Sequence, residues 1–288
     1  MAADQAGQFA LPNQIASRIQ PIHGVQAVVL GGSRARRTES PDSDIDLAIY
    51  YYPHTPLDLA ALNRLATELD DDHRAGLLTP IGGWGRWING GGWLNVYGIA
   101  VDFLYRDLAK VEIEIADCLK GKVQIDYQPG HPHAFTSAIY LAEIAVCQPL
   151  ADPNGAIAGL KTLAIPYPAA LRQALIERFF WEVGFSIATA RKAANRGDAA
   201  YVTGCVFRGI ACLLQTLFAA NAQYWLNEKG ALDLAARFPL APADLKARAH
   251  AVTALLAPEP QSLNTALNLL EELTQETERL LNAGLINH

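Results

Sequence analysis

Residues 27–51 read AVVLGGSRARRTESPDSDIDLAIYY, and this stretch sets the expectation for the whole chain. It opens on Ala27-Val28-Val29-Leu30, an apolar, β-branched run short enough to be one buried strand. Gly31-Gly32-Ser33 follows at once, then a polar stretch from Arg34, then a second strand-like run, Ile45-Asp46-Leu47-Ala48-Ile49-Tyr50. A strand alternates faces with a period of two, so Asp44 and Asp46 point to one side and Ile45, Leu47 and Ile49 to the other. Two adjacent carboxylates repel each other unless a cation joins them, and oxygen ligands at this spacing suit a hard cation such as Mg²⁺. Gly32-Ser33, at a strand-to-helix turn, supplies the complement. Glycine lets the backbone approach a ligand, and N–H groups at a helix start favour an anion such as phosphate. A phosphate cradle beside a metal-binding carboxylate pair describes a phosphoryl- or nucleotidyl-transfer site.

Gly32-Ser33, ten intervening residues and Asp44-Ile45-Asp46 between apolar neighbours resemble the signature of the DNA polymerase β-like nucleotidyltransferase superfamily. The run is most similar to the small-molecule (aminoglycoside-type) and minimal branches. The resemblance covers roughly residues 13–106. That family uses a third carboxylate on a later strand, and Ile99-Ala100-Val101-Asp102-Phe103-Leu104-Tyr105, an apolar run with one acid in it, offers Asp102 for the part. The resemblance implies a donor nucleotide, ATP or another NTP, with its triphosphate over Gly32-Ser33. It implies two Mg²⁺ ions bridging Asp44 and Asp46 to the phosphates, with Asp102 on the metal that activates an acceptor hydroxyl and available to take its proton. The plain alternative is a surface turn followed by an edge strand with solvated acids.

The fold expected is an α/β (α+β) domain with a mixed sheet over residues 1–128, followed by an all-α helical bundle over 134–288. In the first part, helices are expected at 12–20, 56–72 and 106–120, the last ending at Gly121. The stretch IGGWGRWINGGGWLNVYG predicts a hairpin turning at Asn89-Gly90, with Trp84, Trp87 and Trp93 packed on the sheet or bordering the nucleotide or acceptor site. Asp70-Asp71-Asp72 looks like a metal cluster and reads equally as a solvated helix end. His131 and His133 have no matching ligand set nearby and read as a loop. From about residue 134 helices are expected to the end, at 134–147, 154–164, 168–195, 198–223, 231–237, 241–256 and 260–283, with wide apolar faces suited to a bundle.

Further candidates come from charge. Arg36, in the triplet Arg34, Arg36, Arg37, reaches nucleotide phosphates or lies on a solvated helix face. Lys192 and Lys229 on a bundle wall would help neutralise a triphosphate, or are solvated helix ends, Lys229 standing before a Gly230 cap. Glu143 and Glu177 are the reserve candidates for a base, or plain surface acids.

Composition sets the limits. With 288 residues, 51% hydrophobic and 18% charged, the chain can bury a sizeable core. Its net charge of −6, with no basic run beyond Arg34-Ala35-Arg36-Arg37, argues against a nucleic-acid partner and mildly for a cationic or neutral acceptor. Four cysteines without metal-finger spacing read as buried free thiols. The N-terminus lacks a basic start and apolar core, and the apolar stretch 202–226 is interrupted by Arg208, Gln215, Asn221 and Gln223, so no membrane partner and a cytosolic protein are expected. The partners expected are an NTP and a small-molecule acceptor. Two rivals stay open: modification of a protein side chain, as in antitoxin-like minimal nucleotidyltransferases, and a non-catalytic nucleotide sensor on the same fold.

Overall fold

The computed structural model describes residues 10–36 and 43–286. Arg37 of the basic triplet lies outside them. The described chain groups into two compact units. The first takes the residues up to Ala116, with Tyr127–Pro129 and Tyr140–Pro166; the second takes Asp117–Asp126, Gly130–Ile139 and everything from Tyr167.

The first unit is built on a five-stranded mixed sheet. In chain order its elements are α1 (Ala10–Ile19), β1 (Val25–Leu30), the single turn α2 (Gly32–Ala35), β2 (Ile45–Tyr51), α3 (Leu59–Leu69), the turn α4 (Gly85–Ile88), β3 (Gly91–Val96) and β4 (Ile99–Asp107). After α5 (Leu108–Cys118), β5 (Ile125–Gln128) and β6 (His131–Thr136) pair as a two-stranded sheet. Then come α6 (Ala138–Val146), β7 (Gln148–Ala151) and α7 (Ala156–Ala164).

The sheet order is β3-β4-β2-β1-β7. β2 and β4 run parallel and the remaining pairs are antiparallel. A parallel pair needs a long crossover, and α3 with β3 lies in that connection. β1 and β2 are central, which explains their continuous apolar sequence: Ala27, Val28, Val29, Leu30, Leu47 and Ile49 are almost fully buried. Val28, Leu30, Leu47 and Ile49 share one core with Ile15 and Ile19 of α1 and Leu62, Leu65 and Ala66 of α3.

Two expectations are corrected here. The hairpin between β3 and β4 turns at Tyr97-Gly98, both at positive φ (52° and 73°), and not at Asn89-Gly90, which leads from α4 into β3. A two-residue turn with both central residues at positive φ matches the twist of the flanking strands. The span 134–147 is not one helix either: β6 runs through Thr136 before α6 begins. After α6, Gln148–Ala151 form β7 on the sheet edge, where a proline without an N–H is tolerated.

The second unit is helical. Its long members are α8 (Ala169–Ala194), α9 (Ala199–Ala220) and α12 (Pro260–Ile286), with α10 (Ala231–Ala235) and α11 (Leu245–Ala254) between. α9 packs on α8 and α12. It is long and apolar enough to cross a membrane by length and composition, yet most of it is buried inside the protein. Asp198 caps its start by accepting from the Tyr201 N–H. Arg208 on α9 pairs with Glu182 and donates to the His133 carbonyl (2.9 Å), and the Glu228 carboxylate accepts from the His133 N–H (2.6 Å). His133 is therefore a buried structural residue of β6, not loop.

Candidate active site

The site grows from the junction of β1, α2 and β2. The chain leaves β1 at Leu30, and the Gly31 N–H donates to the Asp46 carbonyl (2.8 Å), holding the turn against β2. Gly32 then takes φ +63°, a left-handed conformation that glycine adopts without strain. A Cβ at this position would lie 1.8 Å from Asp46 Oδ2, so the missing side chain is what allows the Asp46 carboxylate to lie against the turn. The Ala35 N–H closes the single helical turn on the Gly31 carbonyl (3.1 Å).

Asp46 is part-buried on β2, one residue inside the strand; Asp44 is exposed just before it. Ile45, Leu47 and Ile49 are buried, as the alternation predicts. The parallel register sets Asp46 opposite Asp102 of β4, and the antiparallel register sets Asp102 opposite Trp93 of β3. Residues paired in register share a face, so a row forms across the sheet: Gly31, Asp46, Asp102, Trp93.

Electrostatics confirm that the acids feel one another. Burial, then the charges of Asp46 and Asp44, push the Asp102 carboxyl up to about 6. Arg36 is half-buried beside this group. Burial lowers its pKa, the charge of Asp46 works the other way, and its Nε is buried without a hydrogen-bond partner. Arg34, which the sequence offered only as a member of a basic triplet, has a definite task. Its guanidinium donates to the Ser43 carbonyl (2.6 and 3.1 Å) and the Asp44 carbonyl (3.0 Å), tying the turn to the start of β2.

Among the described residues, no three His, Cys, Asp or Glu side chains converge closely enough to hold a metal ion as they stand. The donor set still fits a divalent cation in kind. Three carboxylates within electrostatic reach, one of them raised by burial and then by the charges of the other two, are what a hard cation relieves.

Lys192 is exposed near the end of α8, and Lys229 is exposed before Gly230. Glu177 is exposed on α8 and accepts from Gln173 (2.8 Å). Glu143 is not a base in waiting: its carboxylate receives two hydrogen bonds, 2.8 and 2.6 Å, from the guanidinium of Arg106, which is 2% exposed. Asp70-Asp71 is corrected as well. Asp70 is fully buried, accepting from Arg74 and from the Asn95 N–H, and Asp71 accepts from the N–H groups of Tyr97 and Gly98. These acids staple the end of α3 to the hairpin that carries Asp102.

Comparison with known proteins agrees with this geometry: residues 13–117 match the family model described as Nucleotidyltransferase domain. Residues 13–117 form a nucleotidyltransferase domain. The nucleotidyltransferase domain runs from α1 through most of α5 and so contains the whole row from Gly31 to Asp102. Such a domain supports the transfer of a nucleoside monophosphate. Among solved structures, the chain is similar to a nucleotidyltransferase-like protein from Exiguobacterium sibiricum 255-15, at 13% identity and a TM-score of 0.44, over 98% of this chain and 78% of that one. No curated protein matches the sequence.

Proposed function

We propose that this nucleotidyltransferase moves AMP from ATP to a hydroxyl of a small molecule and releases pyrophosphate. The observation that supports the reading is the register that sets Asp46 opposite Asp102 beside the Gly32 turn. Gly32 and Ser33 receive the triphosphate, and Arg36 adds positive charge at the same turn. Asp44, Asp46 and Asp102 are the residues that would hold Mg²⁺, which when bound neutralises phosphate charge and lowers the pKa of a bound hydroxyl. The acceptor oxygen forms a bond to the α-phosphorus as the bond from that phosphorus to the bridging oxygen breaks. Pyrophosphate carries away the electron pair. Asp102, on the strand beside Asp46, takes the acceptor's proton. The remaining contribution of the protein is position and charge. The proposal keeps the enzyme in the cytosol.

The test is incubation with α-labelled NTPs, Mg²⁺ and a mixture of hydroxylated small molecules. The expected result is pyrophosphate release matched by labelled acceptor, lost on chelation and in Asp46→Asn. Turnover that survives both would refute the reading, and label found only on protein would move the acceptor to a side chain.

A further inference from the structure

The tryptophans beside Asp102 are left unused by this chemistry. Trp93 is the cross-strand partner of Asp102, and residues directly opposite each other share a face with Cβ atoms about 5 Å apart. Its side chain is 61% exposed, whereas nearby Trp87 is buried in the core. The Trp93 ring stacks on Trp84, with centroids 4.5 Å apart and planes 26° from parallel. A Cβ at Gly91, two residues before Trp93, would sit 1.8 Å from the Phe103 carbonyl oxygen and 2.9 Å from the Trp84 ring, so the bare backbone admits the neighbouring strand first and leaves room for the ring as well. An exposed indole held by a second indole is a rigid surface for stacking a flat ring.

Position says which ring. Gly31, Asp46, Asp102 and Trp93 follow one another across the sheet, with neighbouring strands about 4.8 Å apart. Under the proposed transfer, pyrophosphate leaves over Gly32-Ser33, at one end of that row. Attacking and leaving oxygens lie roughly in line through the phosphorus, so the nucleophile comes from the other end. Trp93 stands there, one strand beyond Asp102.

We propose that Trp84 and Trp93 form the acceptor platform: they stack a flat aromatic or heteroaromatic ring of the acceptor and so bring its hydroxyl to Asp102. The inference rests on the transfer reading and narrows its acceptor to a ring-bearing alcohol. Binding of phenyl β-glucoside and of methyl β-glucoside, matched except for the flat ring, tests it on enzyme saturated with α,β-methylene ATP and Mg²⁺. Wild type should prefer the phenyl compound about ten-fold, the scale of one stacked ring. Trp93→Ala should bring the ratio to about one, and Trp93→Phe should keep most of it, with analogue affinity unchanged in both. Trp93 is exposed, so both variants should fold, which circular dichroism checks. Equal binding of the two glucosides by wild type, with the ATP analogue bound, overturns the platform alone. Weaker analogue binding in Trp93→Ala overturns the acceptor assignment, because the ring stacked there is then the nucleobase. Wild type that does not bind the analogue overturns the transfer reading, and the platform with it.

Discussion

Two acidic groups lie in the same domain and have opposite surroundings. Asp70 and Asp71 meet donors at every turn: Arg74, the Asn95 amide and the amides of the Tyr97-Gly98 turn. The Arg74 hydrogen bonds hold Asp70 well below the usual carboxylate range, against the opposing effect of burial, with the amides of Asn95 and Arg74 helping. Asp102 is driven the other way, by burial and by two neighbouring carboxylates. A carboxylate that the fold needs is surrounded by donors. A carboxylate kept near others of its kind costs stability, and that cost is explained by a ligand. The sequence does not show which aspartates meet donors, since Arg74 aside the partners lie more than twenty residues away.

The largest effect expected is on turnover. Asp46→Asn and Asp102→Asn should each lower transfer by about 10³-fold or more. Their thermal midpoints should be unchanged or raised, because a repulsive charge is removed. Midpoints that fall together with activity would place these acids with Asp70 and erase the contrast. Gly32→Ala sharpens it by moving the Asp46 carboxylate without deleting it. A Cβ cannot share space with Oδ2, so transfer should fall by about 100-fold, the cost of an ångström of misplacement, read as kcat with the acids intact.

Asp70→Ala should do the reverse. It removes the partner of the Arg74 guanidinium and of the Asn95 amide and should lower unfolding stability by about 1–2 kcal/mol in a denaturant titration, with any loss of activity following the loss of fold. The smallest effect concerns a buried base in the helical unit. Burial, then the charge of Arg208, lowers His133 to about 4. The unfolded chain takes up this proton near pH 6.5 and the folded one only near pH 4, so stability is lost as pH falls through that window. Between pH 7 and 5 the loss should be about 2 kcal/mol, and it should shrink in His133→Gln. A stability curve that is flat over this range, or the same in the variant, would show that His133 is not held neutral by its surroundings.

Much of the site was legible. Gly32-Ser33, Asp44, Asp46 and Asp102 are all local signals: a turn that glycine makes without strain, and acids on strands whose apolar alternation fixes their face. The helices of the second unit were legible for the same reason, because each is marked by its own periodicity and breakers. What was missed depends on partners distant in sequence. Glu143 reads as a free acid until Arg106, 37 residues away, is found against it. Asp70 reads as a solvated helix end until Asn95 closes over it. β7 has four residues, one of them a proline, too little to announce a strand, and it becomes one because β1 offers it an edge.

By itself the sequence determined the chemistry on offer: which residues can cradle an anion, which can hold a cation, and which strands carry them. Backbone preferences and side-chain periodicity act over a few residues, and the chain states them directly. Only the tertiary structure decided the register that sets Asp46 beside Asp102 and Asp102 beside Trp93, and with it which acids are satisfied and which are held against repulsion. Register is a choice among pairings of nearly equal local merit, and it is settled by burying the apolar face of every strand at once.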